Sequence, residues 1–527
     1  MKRGIDQNYV TNKRQKTSVI SFKNIKNYIK NDCIVELIRR NNISIPKNDN
    51  FNEWLCNEGN KHETDIINYI KDNIHDVVYV SNNITDETCT KAEKLISEKV
   101  PFLHSVPFCN DERKGIIDLL VRSDYVHLLN SKIPNESSIP YYIVFDIKYA
   151  KIQFAADIPY LKNTVDFTCH KCQLYFYNSW VNEFCNTKFS KSYIIGGKNT
   201  SKKCLENIGF VDFITKDKHI VNLVNKSIEW VKNLNNNYKN YDLFNPVNHE
   251  LFPNMCIDSY NYNGIKQEIA DNIGEITKIW NVNTLHRKNA FDQNIFSIYD
   301  KRLNSSILKI KNNSHANIIN NIIKVNRDND TLLYKNTIPF VEYKDQSNIF
   351  LDIETVDGIV FMIGIYVNEN DNWNYKVFLT DDKNKLNEEL RIITEFYIEY
   401  KRLNRPNVLF WHADKNIIAK ACERNNIDLF NIKWVNMTSI FIENEIAIKG
   451  CFNYGLKQVA KAMKNMNMIN IVNDGDCSSG KDAILQAKLL YMEKCDIKKW
   501  EQLVNIIEYN KFDCIVLFEI FNFFVTL

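Results

Sequence analysis

The chain has 527 residues, of which 44% are hydrophobic and 25% are charged, a composition typical of a soluble globular protein with two or three domains. Its net charge of +3 is too small to indicate a nucleic-acid partner by itself, so any basic track must be local. No apolar run reaches the roughly 20 residues needed to span a membrane, and no apolar leader is visible, so we expect an intracellular protein, cytoplasmic or nuclear, that is not secreted and binds no membrane.

Residues 1–45 are a basic, polar tail and lead-in, and residues 46–235 form the first predicted domain. In this domain, polar residues that can do chemistry follow one another in an ordered set. The set begins with an acidic residue on a predicted helix and a second acidic residue on a predicted strand. An Asp-x-Lys motif follows on another strand, where the two side chains share one face. The set ends with a Gln-x-x-x-Tyr motif, whose two side chains lie one turn apart on a helix. An isolated Asp-x-Lys is more often an exposed ion pair, so the prediction depends on the whole set. Its members are Glu63, Asp118, Asp146, Lys148, Gln173 and Tyr177.

This ordered set resembles the core of PD-(D/E)XK nucleases, a restriction-endonuclease-like fold, and its last motif resembles their RecB-like branch. The resemblance implies that Glu63, Asp118 and Asp146 bind Mg²⁺ or Mn²⁺. Lys148 would position or deprotonate a water molecule and stabilise the charge that develops on the phosphate. His62, next to Glu63, is the alternate metal ligand.

Other residues of this domain have a less direct implied role. Gln173 and Tyr177 would line the path of the nucleic-acid strand or support the site, and Lys151 and Lys171 are candidate phosphate contacts. Some RecB-like nucleases hold an iron–sulfur cluster through one early and three late cysteines. Here the cysteines after Tyr177 are too dispersed for the late set, so we expect no iron–sulfur cluster.

Residues 236–335 are predicted to be a helical connector. A helical pattern over 266–280, a short turn and a second helical run resemble a helix–hairpin–helix, a motif whose backbone amides bind phosphates without reading sequence. Asn281 and Asn283 stand where that motif usually has glycines, so a packing role is an equal alternative. The residues that would contact nucleic acid are His286, Arg287 and Lys288.

The last predicted domain covers residues 336–527 and is organised around residues 350–367. This stretch predicts two apolar strands joined by a turn at 356–358, and the first strand carries Asp352 and Glu354 on one face. Two neighbouring carboxylates on a buried strand repel each other and lose hydration unless a cation lies between them. Divalent metal ions that prefer oxygen ligands are the usual solution.

Two further segments complete an acidic set. Asp414 ends an apolar strand that begins at Val408, and His412 is a neighbour that can share its role; Tyr509 and Asp513 lie one turn apart on a late helical pattern. The set resembles the three motifs of DEDDy exonucleases, which have an RNase H-like α/β fold with a mixed sheet. The resemblance implies that Asp352, Glu354, Asp414 and Asp513 hold two Mg²⁺ or Mn²⁺ ions and that Tyr509 orients the attacking water.

The order of the parts resembles a family of RecB-type nucleases with a C-terminal RNase H-like exonuclease domain, and the Asn-, Lys- and Ile-rich composition fits a large DNA virus. We therefore expect an α/β multidomain nuclease with two metal-dependent sites, acting on DNA, with a helicase as a partner by family analogy alone. Two alternatives remain: an RNA-processing nuclease, and a nucleic-acid-binding protein in which one site is inactive.

Overall fold

The computed structural model describes residues 19–43, 50–133, 140–197, 200–335, 337–380, 385–428, 431–470, 485, 487 and 501–527. The basic tail before residue 19 lies outside these ranges. The chain divides into two compact units. The first unit comprises Met1–Pro46, Leu55–Pro253 and Ser259–Ile269, and the second comprises Lys47–Trp54, Asn254–Asp258 and Ala270–Leu527.

The helices and strands up to residue 273 alternate in the manner of an α/β protein. In chain order they are β1 (Ile20–Ser21), α1 (Phe22–Ile29), α2 (Ile34–Arg40), α3 (Asn50–Asn73), β2 (Val78–Tyr79), α4 (Asp86–Ser97), β3 (Phe102–Cys109), β4 (Arg113–Arg122), α5 (Val126–Leu129), β5 (Tyr142–Lys148), α6 (Val165–Cys185), β6 (Lys191–Gly196), α7 (Ser201–Glu206), β7 (Gly209–Asp212), α8 (Lys218–Asn237) and α9 (Asn263–Ile273).

The sheet of the first unit has the strand order β2-β3-β4-β5-β6-β7, with β1 added in parallel to β4. The pairs β3–β4 and β4–β5 are antiparallel, whereas β5–β6 is parallel and needs the crossover that α6 supplies. Strand β5 is buried from Tyr142 to Ile147 because apolar clusters cover both faces of the sheet. Tyr142 and Val144 face the cluster that contains α6, so Asp146 and Lys148 point to the same side.

From residue 284 onward the chain forms the remaining regular elements. They are α10 (Thr284–Phe291), α11 (Asn313–Arg327), β8 (Leu332–Leu333), β9 (Asn348–Val356), β10 (Ile359–Glu369), β11 (Asn372–Leu379), α12 (Lys385–Arg402), β12 (Asn407–Phe410), α13 (Asp414–Arg424), β13 (Lys433–Asn436), α14 (Met437–Glu443), β14 (Ala447–Ile448), α15 (Leu456–Asn465) and α16 (Glu501–Thr526).

The main sheet of the second unit has the order β11-β10-β9-β12-β13. Strand β10 is antiparallel to β9 and β11, and β12 is parallel to β9 and β13, so the predicted mixed sheet is confirmed. The predicted hairpin at 356–358 is also confirmed: Asp357 and Gly358 both have positive φ, as a tight hairpin turn requires. Leu351 and Ile353 face the cluster with α12 and α13, whereas Phe350 faces α16.

The connector differs from its prediction at one point. The expected helix over 266–280 ends at Ile273, because Gly274 adopts φ +64°, the left-handed conformation that terminates helices. Asn281 has φ +57°, and Asn283 caps α10 by accepting hydrogen bonds from the amides of Leu285 and His286. In the described part of the chain, no helix is long and apolar enough to cross a membrane.

Candidate active site

Strand β9 places two acids on the face of the sheet that α16 covers. Asp352 and Glu354 alternate with the apolar residues Leu351 and Ile353, which pack on the opposite face. Glu354 is only 8% exposed. The alternation that buries one face therefore aims both carboxylates at α16.

Asp414 and Asp513 join this pair from two other elements. Asp414 is the first residue of α13, not the end of the preceding strand as the sequence suggested, and it is 6% exposed. Asp513 lies on α16 and is equally buried, and burial together with its charge raises the pKa of Tyr509 one turn earlier. His412, the alternative to Asp414, has φ +69° and is exposed, so Asp414 is the better candidate ligand.

The four carboxylates perturb one another's protonation. Burial, with the nearby charges of Asp513 and Asp414, raises the pKa of Glu354 to about 8. Burial also raises the pKa of Asp414 to about 8 and that of Asp513 to about 6, where Lys457 opposes the shift. The pKa of Asp352 is raised well above its usual value by burial and by the charges of the other three acids. Such shifts arise where carboxylates are buried close together, and a cation among them would offset the shifts.

The donor set fits divalent metal ions. Asp513 Oδ1 is buried and has no hydrogen-bond partner among the described residues, so its position leaves a lone pair for a ligand. Carboxylate oxygens are the ligands that Mg²⁺ and Mn²⁺ prefer. No three His, Cys, Asp or Glu side chains of the described chain stand ready-made as a metal-binding group.

Asn510 is a site residue that sequence reasoning missed. Its Nδ2 donates to Asp352 Oδ2 over 2.7 Å, and its Oδ1 accepts a 2.8 Å hydrogen bond from the Tyr375 hydroxyl on β11. Asn510 is fully buried over Gly364, which pairs with Asp352 across the sheet. An added Cβ at position 364 would meet Asn510 Oδ1 at 1.7 Å. An isolated glycine inside a strand was the available signal for this close approach.

Lys457 supplies a positive charge that acts on two of these acids. It lies in the first turn of α15, and its Nζ is 4.2 Å from the centre of the Tyr509 ring. Its charge opposes the rise in the pKa of both Glu354 and Asp513, whose pKa values burial raises.

The first unit brings together a second set of predicted residues. Lys148 Nζ lies 2.7 Å from Asp146 Oδ1 and 3.6 Å from Asp118 Oδ2. Asp118 Oδ2 also accepts a 2.9 Å hydrogen bond from the backbone amide of Ile147. Neighbouring strands β4 and β5 thus hold Asp118, Asp146 and Lys148 close together.

The protonation of this set favours an electrostatic role for the lysine. Burial alone would lower the pKa of Lys148, but the charges of Asp146 and Asp118 outweigh burial and raise the pKa. Lys148 is therefore an ammonium ion suited to position water or stabilise charge, not to accept a proton. Burial raises the pKa of Asp146, whose Oδ2 has no hydrogen-bond partner in the described chain. That orphaned oxygen is available to a metal ion.

Helix α6 adds polar residues to the same face. Gln173 Nε2 donates a 3.1 Å hydrogen bond to the Tyr177 hydroxyl, and burial with the charges of Asp118 and Asp146 raises the pKa of Tyr177. His170, one turn before Gln173, was missed. Burial and then the positive charges of Lys148 and Lys26 lower its pKa to about 3, so His170 is a neutral neighbour of the site. Its spacing of three residues from Gln173 was the available signal.

Glu63 and His62 on α3 have different surroundings. Glu63 Oε1 lies 2.9 Å from His104 Nε2 on β3, which gives the predicted ligand a partner outside the Lys148 group. His62 is buried against the ring of Tyr149, which follows Lys148, and its Nε2 has no hydrogen-bond partner among the described residues. The environment therefore favours His62, the alternate, over Glu63 as the metal ligand.

Two predicted phosphate contacts are engaged inside the protein. Lys171 is 1% exposed and donates to Asp217, Asn163 and the carbonyl of Leu161, so it has no donor left for a phosphate. Arg287 is 6% exposed, and its guanidinium contacts the fully buried carboxylate of Glu275 at 2.9 Å. Both side chains stabilise the interior, which corrects their assignment as nucleic-acid contacts.

The remaining predicted contacts lie at the surface. Lys151 is exposed, and Lys288 is exposed in an ion pair with Asp292 one turn away. His286 Nδ1 accepts a 3.2 Å hydrogen bond from the backbone amide of Asn283, which closes the cap of α10. Nucleic-acid contact by these three stays a prediction.

Comparison with known proteins identifies one part of the chain. A family model of the RNase H superfamily matches residues 349–525, which contain all four carboxylates described for the second unit. No curated protein matches the chain, and no solved structure does. Residues 349–525 are therefore an RNase H superfamily domain within an α/β multidomain protein.

Proposed function

We propose that this protein is a metal-dependent nuclease that hydrolyses phosphodiester bonds of DNA at two sites. The second unit would act as a 3′→5′ exonuclease of the DEDDy type, and the first unit as a RecB-like PD-(D/E)XK nuclease. The observation that carries the proposal is the crowding of Asp352, Glu354, Asp414 and Asp513 within an RNase H superfamily domain, a fold common among nucleases.

The exonuclease proposal follows from the chemistry of the carboxylates. Mg²⁺ or Mn²⁺ ions held by these four side chains would stabilise the charge that develops on the phosphate and lower the pKa of a bound water. Tyr509, one turn before Asp513 on α16, would orient a water molecule. Asn510 would fix the rotamer of Asp352, because its amide occupies one carboxylate oxygen. Lys457 would offset part of the negative charge before a metal ion or a substrate arrives.

The proposal for the first unit is supported by strand arrangement as well as by residues. Antiparallel β3–β4–β5, a crossover helix and parallel β6 give a mixed sheet in which one face presents Asp118, Asp146 and Lys148. His62, Asp118 and Asp146 would hold the metal ion, with Glu63 beside them. The Lys148 ammonium would stabilise charge on the scissile phosphate. Gln173, Tyr177 and His170 would line the approach.

A single assay separates the two sites. End-labelled single- and double-stranded DNA and RNA are incubated with Mg²⁺ or Mn²⁺ and the wild type, Lys148→Met, Asp352→Asn or the double variant. We expect each single variant to lose one activity and the double variant to lose both. Glu423→Gln, an exposed acid on α13, is the matched control for loss of charge.

The outcomes distinguish the proposal from its alternatives. Cleavage of RNA alone would favour an RNA-processing nuclease, because discrimination depends on contacts to the 2′-hydroxyl. Activity that survives Lys148→Met unchanged would make the first unit a binding module. A wild type that cleaves no substrate with either metal would refute the nuclease proposal altogether.

A further inference from the structure

The second unit contains an open groove that the proposed chemistry does not use. It lies between α10 and the segment that enters α11, and its volume is about 470 Å³. Its polar lining includes Asn281, His286, Lys309, Lys311 and His315. Among the described residues that line it there is no carboxylate, so the groove carries only positive charge and neutral polar groups.

The two lysines of the groove differ from other lysines nearby. Lys288, Lys324 and Lys335 each lie within 4.0 Å of an Asp or Glu oxygen. In the described chain, neither Lys309 nor Lys311 has such a carboxylate, and both are exposed. Leu308 is fully buried and anchors the chain immediately before Lys309. Two unpaired cations held side by side in a groove attract an anion.

The histidines add hydrogen-bond donors to this charge. His286 Nδ1 accepts from the amide of Asn283, so in the neutral ring the proton is on Nε2, which is a donor. The ring of His315 lies edge-on to Trp280, with ring centres 4.9 Å apart, so it is held in place by packing. The groove thus combines ammonium groups with imidazole groups that can donate to phosphate oxygens.

Packed aromatic rings connect the groove to the carboxylate site of the same unit. Trp280 contacts His315 on one side and Tyr454 on the other, with 5.3 Å between the ring centres of Trp280 and Tyr454. Tyr454 precedes Gly455 and Leu456, and the chain then reaches Lys457, whose ammonium lies over the Tyr509 ring. The rings of Trp280 and Tyr454 therefore link His315 of the groove to the segment that leads into Lys457.

We propose that this groove binds the sugar–phosphate backbone of the nucleic-acid strand whose 3′ end occupies the carboxylate site. The proposal rests on the exonuclease function of the second unit and adds the path that the substrate takes away from that site. The lining offers cations and donors suited to phosphates, and the open shape admits a continuous strand. Contacts of this kind hold a strand without reading its sequence.

The test compares Lys309→Ala/Lys311→Ala with Lys301→Ala/Lys344→Ala, a control that removes two exposed lysines of the same unit. Binding of a labelled single strand of about 20 nucleotides is measured by anisotropy across a salt series, in an Asp352→Asn background that prevents cleavage at the carboxylate site. Losing two phosphate contacts should weaken binding roughly tenfold and reduce the slope of log K against log salt by about 1.4. The control should keep the wild-type slope. Equal slopes for both variants would overturn the proposal.

Kinetics separates failure of the groove from failure of the nuclease proposal. In the otherwise wild-type protein, the groove variant should raise KM for the long strand and leave cleavage of a substrate of about 4 nucleotides unchanged, because a short substrate does not reach the groove. If the wild type cleaves the long strand and the groove variant has the same KM, the proposal for the groove is wrong and the nuclease proposal stands. A wild type that neither binds nor cleaves would overturn both. Pyrophosphate could also compete with the labelled strand for the wild type at equal ionic strength. If this competition is absent in the groove variant, the groove is a site for small anions and the proposed strand path is wrong.

Discussion

Replacing an acid of the carboxylate cluster should stabilise the metal-free protein. The pKa of Glu354 is about 8 in the folded protein against an ordinary value of 4.5, chiefly because of burial and the charges of Asp513 and Asp414. At pH 7 the folded chain must therefore hold a proton that the unfolded chain releases. At about 1.4 kcal/mol per pKa unit, this costs about 3 kcal/mol of the free energy of unfolding. Glu354→Gln removes that cost.

The sign of the pH dependence follows from the raised pKa. The destabilising contribution of Glu354 is present above the unfolded pKa and disappears as pH falls below it. Without metal, Glu354→Gln should therefore melt on the order of 5–10 °C above the wild type at about pH 7, and the gap should shrink to a few degrees at about pH 5. Thermal unfolding in chelator at both pH values measures this, with Glu423→Gln as an exposed control that should not differ from the wild type.

Metal ions should narrow the difference in stability between the two proteins. Mn²⁺ at about a hundredfold over its dissociation constant stabilises a protein by about 2.7 kcal/mol, and the wild type should gain this while Glu354→Gln gains less. If metal-free Glu354→Gln is no more stable than the wild type at pH 7, the carboxylates are not crowded and the reasoning fails.

Three further substitutions test individual contacts. Gly364→Ala should lower kcat of the proposed exonuclease reaction at least as far as Asn510→Ala, roughly 10- to 100-fold, with an unchanged far-ultraviolet circular dichroism spectrum, because its Cβ would displace Asn510. Gly264→Ala, with no atom within 4 Å of its Cβ, is the control and should stay active. Asn510→Ala should lower kcat roughly 10- to 100-fold by releasing Asp352, and wild-type kcat would contradict the positioning role. Arg287→Ala should lower the free energy of unfolding by about 3–5 kcal/mol in denaturant titrations, because it leaves the buried Glu275 carboxylate without its ion-pair partner. The control Lys288→Ala removes an exposed lysine and should change the free energy of unfolding by no more than about 0.5 kcal/mol. Equal effects of the two substitutions would refute the buried pair.

Local patterns in the sequence predicted the elements that carry the acids. The alternation around Asp352 and Glu354 fixed one face of β9, and the turn at Gly358 fixed the hairpin. The one-turn spacing of Tyr509 and Asp513 placed both on α16. Asp414 was assigned to a strand end although it begins α13, because a strand end and a helix start only four residues apart are hard to distinguish in sequence.

Contacts between distant segments were beyond reach from the sequence. Lys171 pairs with Asp217, 46 residues away, so its basic character suggested a phosphate contact that its burial rules out. Arg287 and Glu275 form a similar pair across the turn that ends α9. Whether His62 or Glu63 is the better candidate metal ligand depends on which of them contacts His104. The local sequence does not indicate that contact. The role of Asn510 beside Asp352 becomes visible only in the folded chain, where its side chain packs against Gly364.

Anomalous diffraction from crystals soaked with Mn²⁺ tests the central claim most directly, because it locates the ions themselves. We expect two peaks roughly 3.5–4 Å apart among Asp352, Glu354, Asp414 and Asp513, the spacing of two-metal nuclease sites, and their loss in Asp352→Asn. No peak among these four carboxylates, in crystals of a protein that binds Mn²⁺ in solution, would contradict the account.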